Sequence, residues 1–220
     1  RLPAATRDDI RKAIADRTIV RTWLLRGTLH FVAPEDVRWI LGLAAPRIIA
    51  GSAGRHRQLG LTAGDFARSR ELFLKELQGG RQLTRGEMFH LLANAGIAPD
   101  GQRGYHLLRM AGLAGLICFG SPLGNQQTFV LLDEWVPEHR DPGRDEAIAW
   151  LAGRYCTGHG PATLQDFVWW SGLTVSDAKA GIDGAGLRSS LVRVEGNDYF
   201  AGSPFPDPVP GEPAAYLLPG

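Results

Sequence analysis

The sequence predicts a mainly α chain with small β-hairpins, an α+β fold, on three observations. A pattern of helix, glycine turn, apolar residue, helix and hairpin occurs twice, with Gly96 and Gly172 as the turn glycines. Apolar residues recur three and four apart, as on one face of a helix, ahead of each copy. The β-rich pieces are short and paired across turn residues. The 220 residues are 44% hydrophobic and 21% charged, the composition of a globular chain.

The elements follow in order. "TRDDIRKAIADR" reads as a capped amphipathic helix with Ile10, Ala13 and Ile14 on one face. "TIVRTWLLRGTLHFV" reads as β structure, either one strand from Ile19 to Val32 or a hairpin turning at Arg26-Gly27. As one strand, alternation sets Trp23, Leu25, Leu29 and Phe31 on a core face and Arg26, Thr28 and His30 on the other. "APEDVRWILGLAAPRIIAG" predicts a connecting helix entered through Pro34, and "SAGRHRQLG" at 52–60 a basic loop.

The first full copy opens with the helix "AGDFARSRELFLKEL" at 63–77. Thr84 and Glu87 have the spacing of a capping box, and Met88, Leu91, Leu92 and Ala95 mark the helix face behind it. A second helix runs from about Gln102, with Leu107, Leu108 and Ala111 facing inward. "LICF" and "TFVLL" follow as a hairpin joined by "GSPLGNQQ". The second copy repeats this order from "RDEAIAWLAGRYC" at 144–156 through Thr163, Gly172 and Ile182 to "SLVRV" and "DYFAG".

Helix–turn–helix followed by a hairpin is the pattern of a winged helix. A steep turn between helices needs one backbone position with positive φ, which glycine supplies. On the same ruler, residues 1–32 match only the second half of such a module. The expectation is three tandem winged helix-turn-helix modules in the full protein, the first truncated here. Its boundaries fall at 1–50 (half module plus connecting helix), 60–138, 141–203 and a Pro/Gly-rich segment at 204–220.

The net charge of +1 hides a division. Residues 1–110 carry 18 Lys and Arg against 10 Asp and Glu, and residues 111–220 carry 6 against 13. A basic half points to a polyanionic partner, and 21 of the 24 cations are Arg, which suits phosphate forks. No apolar run reaches the ~20 residues of a membrane helix. Two cysteines, Cys118 and Cys156, have no metal or disulfide spacing. The histidines lack metal spacing, so neither metal nor other cofactor is expected, and a cytoplasmic monomer is.

Candidate DNA-contacting residues are Arg26, Thr28 and His30 on one edge of the first β segment. Gln102, Arg103, His106 and Arg109 join them on the polar side of the second module's recognition helix. A guanidinium or imidazole can grip phosphates or base edges there. Arg55, His56 and Arg57 form a further basic stretch that could touch the backbone. Trp169-Trp170 ends a helix, where one ring belongs in the core and the other could stack on bases. The third module's second helix carries Asp177 and Asp183 and is a poor reader of DNA.

"RTWLLRGTLHFV", "GPATLQDFVWWSGL" and the final "AYLLPG" resemble a bacterial winged-helix DNA-binding family whose characterised members are the AlkZ-like DNA glycosylases. The resemblance extends over nearly the whole chain. It implies a C-shaped set of winged helices around double-stranded DNA. It also implies hydrolysis of the N-glycosidic bond of alkylated or crosslinked purines, a DNA-repair activity. An N7-alkylated purine is already a cationic leaving group, so orienting a water and stabilising an oxocarbenium-like sugar would suffice. The family's catalytic Gln-x-Gln or Gln-x-Asp motif has no counterpart here: Gln126-Gln127 lies in a wing and Gln165-Asp166 has the wrong spacing. No catalytic residue is assigned. Two rivals share the pattern: a non-catalytic DNA-binding transcription regulator, and a winged-helix module that meets protein.

Overall fold

The computed structural model describes residues 6–202. Helix α1 (Arg7–Ala15) begins at a capping box in which Thr6 and Asp9 satisfy each other's backbone N–H groups. Strands β1 (Val20–Trp23) and β2 (Leu29–Val32) follow as an antiparallel hairpin, Val20 opposite Val32 and Trp23 opposite Leu29. The single-strand reading of 19–32 is therefore corrected. Arg26 and Gly27 adopt left-handed φ of 56° and 71° inside a 3-10 turn, Leu25–Gly27, and reverse the chain there. The turn shifts the alternation: Leu25 is buried, whereas Leu29 and Phe31 are 41% and 53% exposed.

A 3-10 turn, Pro34–Asp36, leads into helix α2 (Val37–Gly51), apolar on most of its circumference and buried at Val37, Trp39, Ile40, Leu41 and Leu43. The basic stretch after it is a short helix, α3 (Ala53–Gln58), rather than a loop. Serial hydrogen bonds from Ser52, His56 and Leu59 onto the preceding turns carry the helical path through it.

Helix α4 (Ala63–Leu77) starts at a Thr62–Asp65 capping box. Strand β3 (Leu83–Thr84) and helix α5 (Arg85–Asn94) join at the expected Thr84–Glu87 box. Gly96 ends α5 with φ 74° and Ile97 follows it into the core. Helix α6 (Arg103–Leu113) and strands β4 (Ile117–Phe119) and β5 (Thr128–Leu131) complete the unit. A one-turn helix, α7 (Leu132–Trp135), closes it.

The second unit repeats the first. Helix α8 (Arg144–His159), strand β6 (Ala162–Thr163), helix α9 (Leu164–Ser171), Gly172 at φ 72°, helix α10 (Val175–Gly184) and strands β7 (Val192–Val194) and β8 (Asn197–Phe200) appear in the same order. In both units the short strand before the second helix pairs with the later hairpin strand: β3 with β5, β6 with β8. The boundary expected between 1–50 and 60–138 is crossed by a sheet, because β1 also pairs with β4 through Arg21 and Phe119. The result is a five-stranded sheet, β2-β1-β4-β5-β3, and a separate three-stranded sheet, β6-β8-β7. The Pro/Gly-rich segment at 204–220 lies outside the described residues.

Trp23 anchors the shared core. Its ring lies 4.9 Å from Phe119 and 6.3 Å from Phe129, so the first hairpin and the second share one aromatic cluster. Asp36, 3% exposed, fastens α8 to this body. It accepts from Trp39 Nε1 at 2.9 Å and from both terminal nitrogens of the Arg154 guanidinium, one at 3.1 Å, with Arg140 3.7 Å away. Burial opposes the charge on Asp36, but Arg154 and Trp39 overcome it and hold the carboxyl below the usual carboxylate range. Removing one partner of such a pair leaves buried polar groups unmatched. Asp36→Ala is therefore expected to lower unfolding free energy by about 2 to 3 kcal/mol in denaturant melts, and the exposed pair-breaker Asp198→Ala to lower it far less.

Candidate nucleic-acid interface

The reversal at Arg26-Gly27 is the point where three parts of the chain meet. Leu24 and Leu25 drive the turn inward, both almost fully buried. Gly27 must be glycine twice over. Its φ is 71°, and a Cβ would run into the Arg109 guanidinium and the Ile48 side chain. Arg109, on α6, donates from Nε to the Gly27 carbonyl at 3.4 Å and from Nη1 to Ser52 Oγ at 3.2 Å. One guanidinium thus ties α6 to the hairpin turn and to the end of α2.

Thr28 and His30 brace the turn from the other side. The Thr28 hydroxyl donates to the Leu25 carbonyl at 3.1 Å. With its proton on Nε2, His30 donates to the Thr28 oxygen at 2.9 Å and lies 3.3 Å from the same carbonyl. Burial, with a smaller push from Arg26, lowers the His30 pKa; the bond to Leu25 works the other way. Neutral imidazole is the form the turn holds.

Arg26 points outward, away from the strand edge where alternation had set it. Its guanidinium carbon sits 4.5 Å from the ring centre of Trp169 on α9. Arg47 reaches the same corner and donates to the Gly172 carbonyl at 3.3 Å. Beyond Ser52, Arg55 on α3 donates to Gln102 Oε1 at 2.8 Å, just before α6 begins. Arg57 is exposed on the same short helix. Among the described residues, Arg26, Arg47, Arg55, Arg57 and Arg109 have no carboxylate within ion-pair distance, although eleven other pairs form. A row of unneutralised arginines runs from the α9 corner, past the hairpin turn, to the start of α6.

The other candidates on α6 face inward. Arg103 donates to the Leu59 carbonyl at 2.6 Å and the Ala98 carbonyl at 3.0 Å, and lies 3.6 Å from Asp65. Its charge is committed to holding the α3–α4 connection. His106 packs against His56, ring centres 5.3 Å apart, and His56 is only 7% exposed. Nδ1 of His106 and Nε2 of His56 have no hydrogen-bond partner among the described residues. Burial lowers both pKa values, and facing charge lowers them further: Arg109 acts on both rings, His56 and Arg55 on His106. The polar side of α6 is thus covered by α3, where periodicity alone set it toward solvent.

A model of the DNA glycosylase AlkZ-like family matches residues 1–220. The chain belongs to the AlkZ-like DNA glycosylase family. It is similar to an interstrand DNA cross-link repair glycosylase of Streptomyces sahachiroi, 28% identical over 186 residues. That match takes in 79% of this chain and 48% of the relative. The solved structure of the Streptomyces sahachiroi DNA glycosylase AlkZ superposes with a TM-score of 0.67 at 26% identity, over 90% of this chain and 56% of that one. The chain therefore spans about half the length of these relatives. Among the described residues, no group of three or more His, Cys, Asp or Glu could hold a metal ion, and no helix is long and apolar enough to cross a membrane.

Arg47 was the row member that sequence reasoning passed over. Its only signal was a lone charge in the apolar later part of α2. The sequence marks Arg55 and Arg57 as basic but predicts a loop where α3 forms.

Two outcomes follow from this geometry. Gly27→Ala puts a methyl group into the Arg109 guanidinium at a left-handed position and is expected to lower stability by at least about 2 kcal/mol in a denaturant melt. The lowered histidines set a pH window. His30, His56 and His106 bind protons more weakly folded than at the ordinary value of 6.5. The unfolded chain then holds the extra protons, and stability present above about pH 6.5 is lost as pH falls. Thermal melts should drop between pH 7.5 and 5.5, and drop less for His56→Phe; a flat profile would contradict the assignment.

Proposed function

We propose that this chain is the DNA-binding body of a glycosylase that hydrolyses the N-glycosidic bond of alkylated or crosslinked purines in double-stranded DNA. The row of five unneutralised arginines carries the reading. Arg26, Arg47, Arg55, Arg57 and Arg109 contact phosphates along it. Gln102 positions Arg55, while Thr28, His30, Arg103 and His106 hold the row from behind. Phosphate contacts of this kind supply sequence-independent affinity, as repair of a chemical lesion requires.

In this reading the units over 60–138 and 141–203 are two winged helix-turn-helix modules, and residues 1–50 are the recognition helix and wing of a third with its connecting helix. Family membership and the similar AlkZ structure support it. The chemistry belongs to the full protein: water attacks the sugar C1′, the glycosidic electron pair leaves with the already cationic purine, and the proton is lost to solvent or a base. The 220 residues hold no Gln-x-Gln or Gln-x-Asp, so no catalytic role is assigned within them. A cytoplasmic monomer without a cofactor is the form expected. A non-catalytic DNA-binding regulator would use the same arginine row, and base release separates the two.

Binding to a duplex oligonucleotide should weaken with salt. The slope of log Kd against log salt should lie near 4 for five phosphate contacts, some shared, and fall by about 3 in an Arg47→Ala/Arg55→Ala/Arg57→Ala variant. An unchanged slope would remove the row from the interface. The full-length protein should release N7-alkylguanine from duplex DNA; binding without release would favour the regulator.

A further inference from the structure

The two tryptophans that end α9 have opposite surroundings. Trp170 is packed, 4.9 Å from Tyr155 and 5.4 Å from His159 between ring centres. Trp169 is 68% exposed. The guanidinium carbon of Arg26 lies 4.5 Å over its ring. Arg26 comes from a different part of the chain and holds a left-handed φ of 56° to get there. Its Cγ also lies 3.5 Å from where a Cβ on Gly172 would sit. Arg47 meets the Gly172 carbonyl on the same corner.

The exposed indole face is apolar area that a flat partner would remove from water. Here one face already carries a cation, and a cation on one face favours an electron-rich π-system on the other. Neither arginine at the corner has a carboxylate among the described residues, so an acidic group is favoured beside the ring. A flat π-face next to a phosphate is the chemistry of a nucleotide. In a paired duplex both faces of every internal base are occupied by its neighbours, so the free indole face suits a base that has left the stack.

We propose that Trp169 is a stacking platform for an unpaired nucleobase in otherwise double-stranded DNA, with Arg26 behind the ring and the flanking phosphate on Arg26 and Arg47. This rests on the DNA-binding reading above and adds the feature of DNA that the α9 corner selects.

The test compares two labelled duplexes that differ only by one extra unpaired adenine, titrated by fluorescence anisotropy. The wild-type chain should prefer the bulged duplex by about tenfold. Trp169→Ala should abolish that preference and bind the fully paired duplex within about twofold of wild type, and Trp169→Phe should keep part of it. Trp169 is exposed, and unchanged circular dichroism and melting confirm that each variant is folded. Equal wild-type binding to both duplexes, or a preference that survives Trp169→Ala, overturns the platform and leaves the DNA-binding reading standing. Tight wild-type binding to neither duplex overturns both.

Discussion

The clamp between Arg109 and the Gly27 carbonyl is the constraint on which the rest of the interface depends. It closes only because Gly27 has no side chain and holds φ 71°. A turn at that place lets Leu24 and Leu25 enter the core while Arg26 leaves it. The Thr28–His30 pair holds the Leu25 carbonyl at the start of the same turn, while Arg109 holds the Gly27 carbonyl at its end. With the turn set, α2, α6 and α9 are held at one corner, and arginines from the turn, α2, α3 and α6 line up across it. Long-range electrostatic attraction needs this: scattered cations raise affinity little, whereas a row on one surface acts together on a polyanion.

The two halves of the chain treat their arginines differently. Arg140, Arg144, Arg154, Arg188 and Arg193, every arginine of the acidic half, are ion-paired to Asp or Glu. Several of these pairs are exposed and contribute little stability. Their consequence is electrostatic: the arginines of the acidic half are matched, and the unmatched arginines among the described residues all lie in the basic half, five of them along the row beside the hairpin turn. The arithmetic of +8 against −7 in the two halves was therefore visible in the sequence, but the partner of each cation was not.

Local chemistry was legible where it acts over a few residues. The capping pair expected at Thr84–Glu87 closes, because both partners lie within one turn, and the same arrangement forms at Thr6–Asp9 and Thr163–Asp166. The left-handed glycines 96 and 172 stand where two helices meet. The reversal at Arg26-Gly27 was legible only as one of two options, since an arginine in left-handed backbone is disfavoured by its own Cβ and is held there by tertiary contacts. The inward orientation of Arg103 and His106 was not legible at all. A helical wheel shows that they share a side with Gln102 but not that α3 covers it, and that covering depends on residues nearly fifty positions away.

The central claim is that the hairpin turn, the α2–α3 junction and the start of α6 form one DNA-facing surface. Amide hydrogen exchange of the chain with and without a duplex oligonucleotide tests it most directly. The account predicts slower exchange on DNA binding around residues 24–28, 47–58 and 102–106, with little change in β7 and β8. Protection confined to β7 and β8 or to α1, with the hairpin turn exchanging at its free rate, would contradict it.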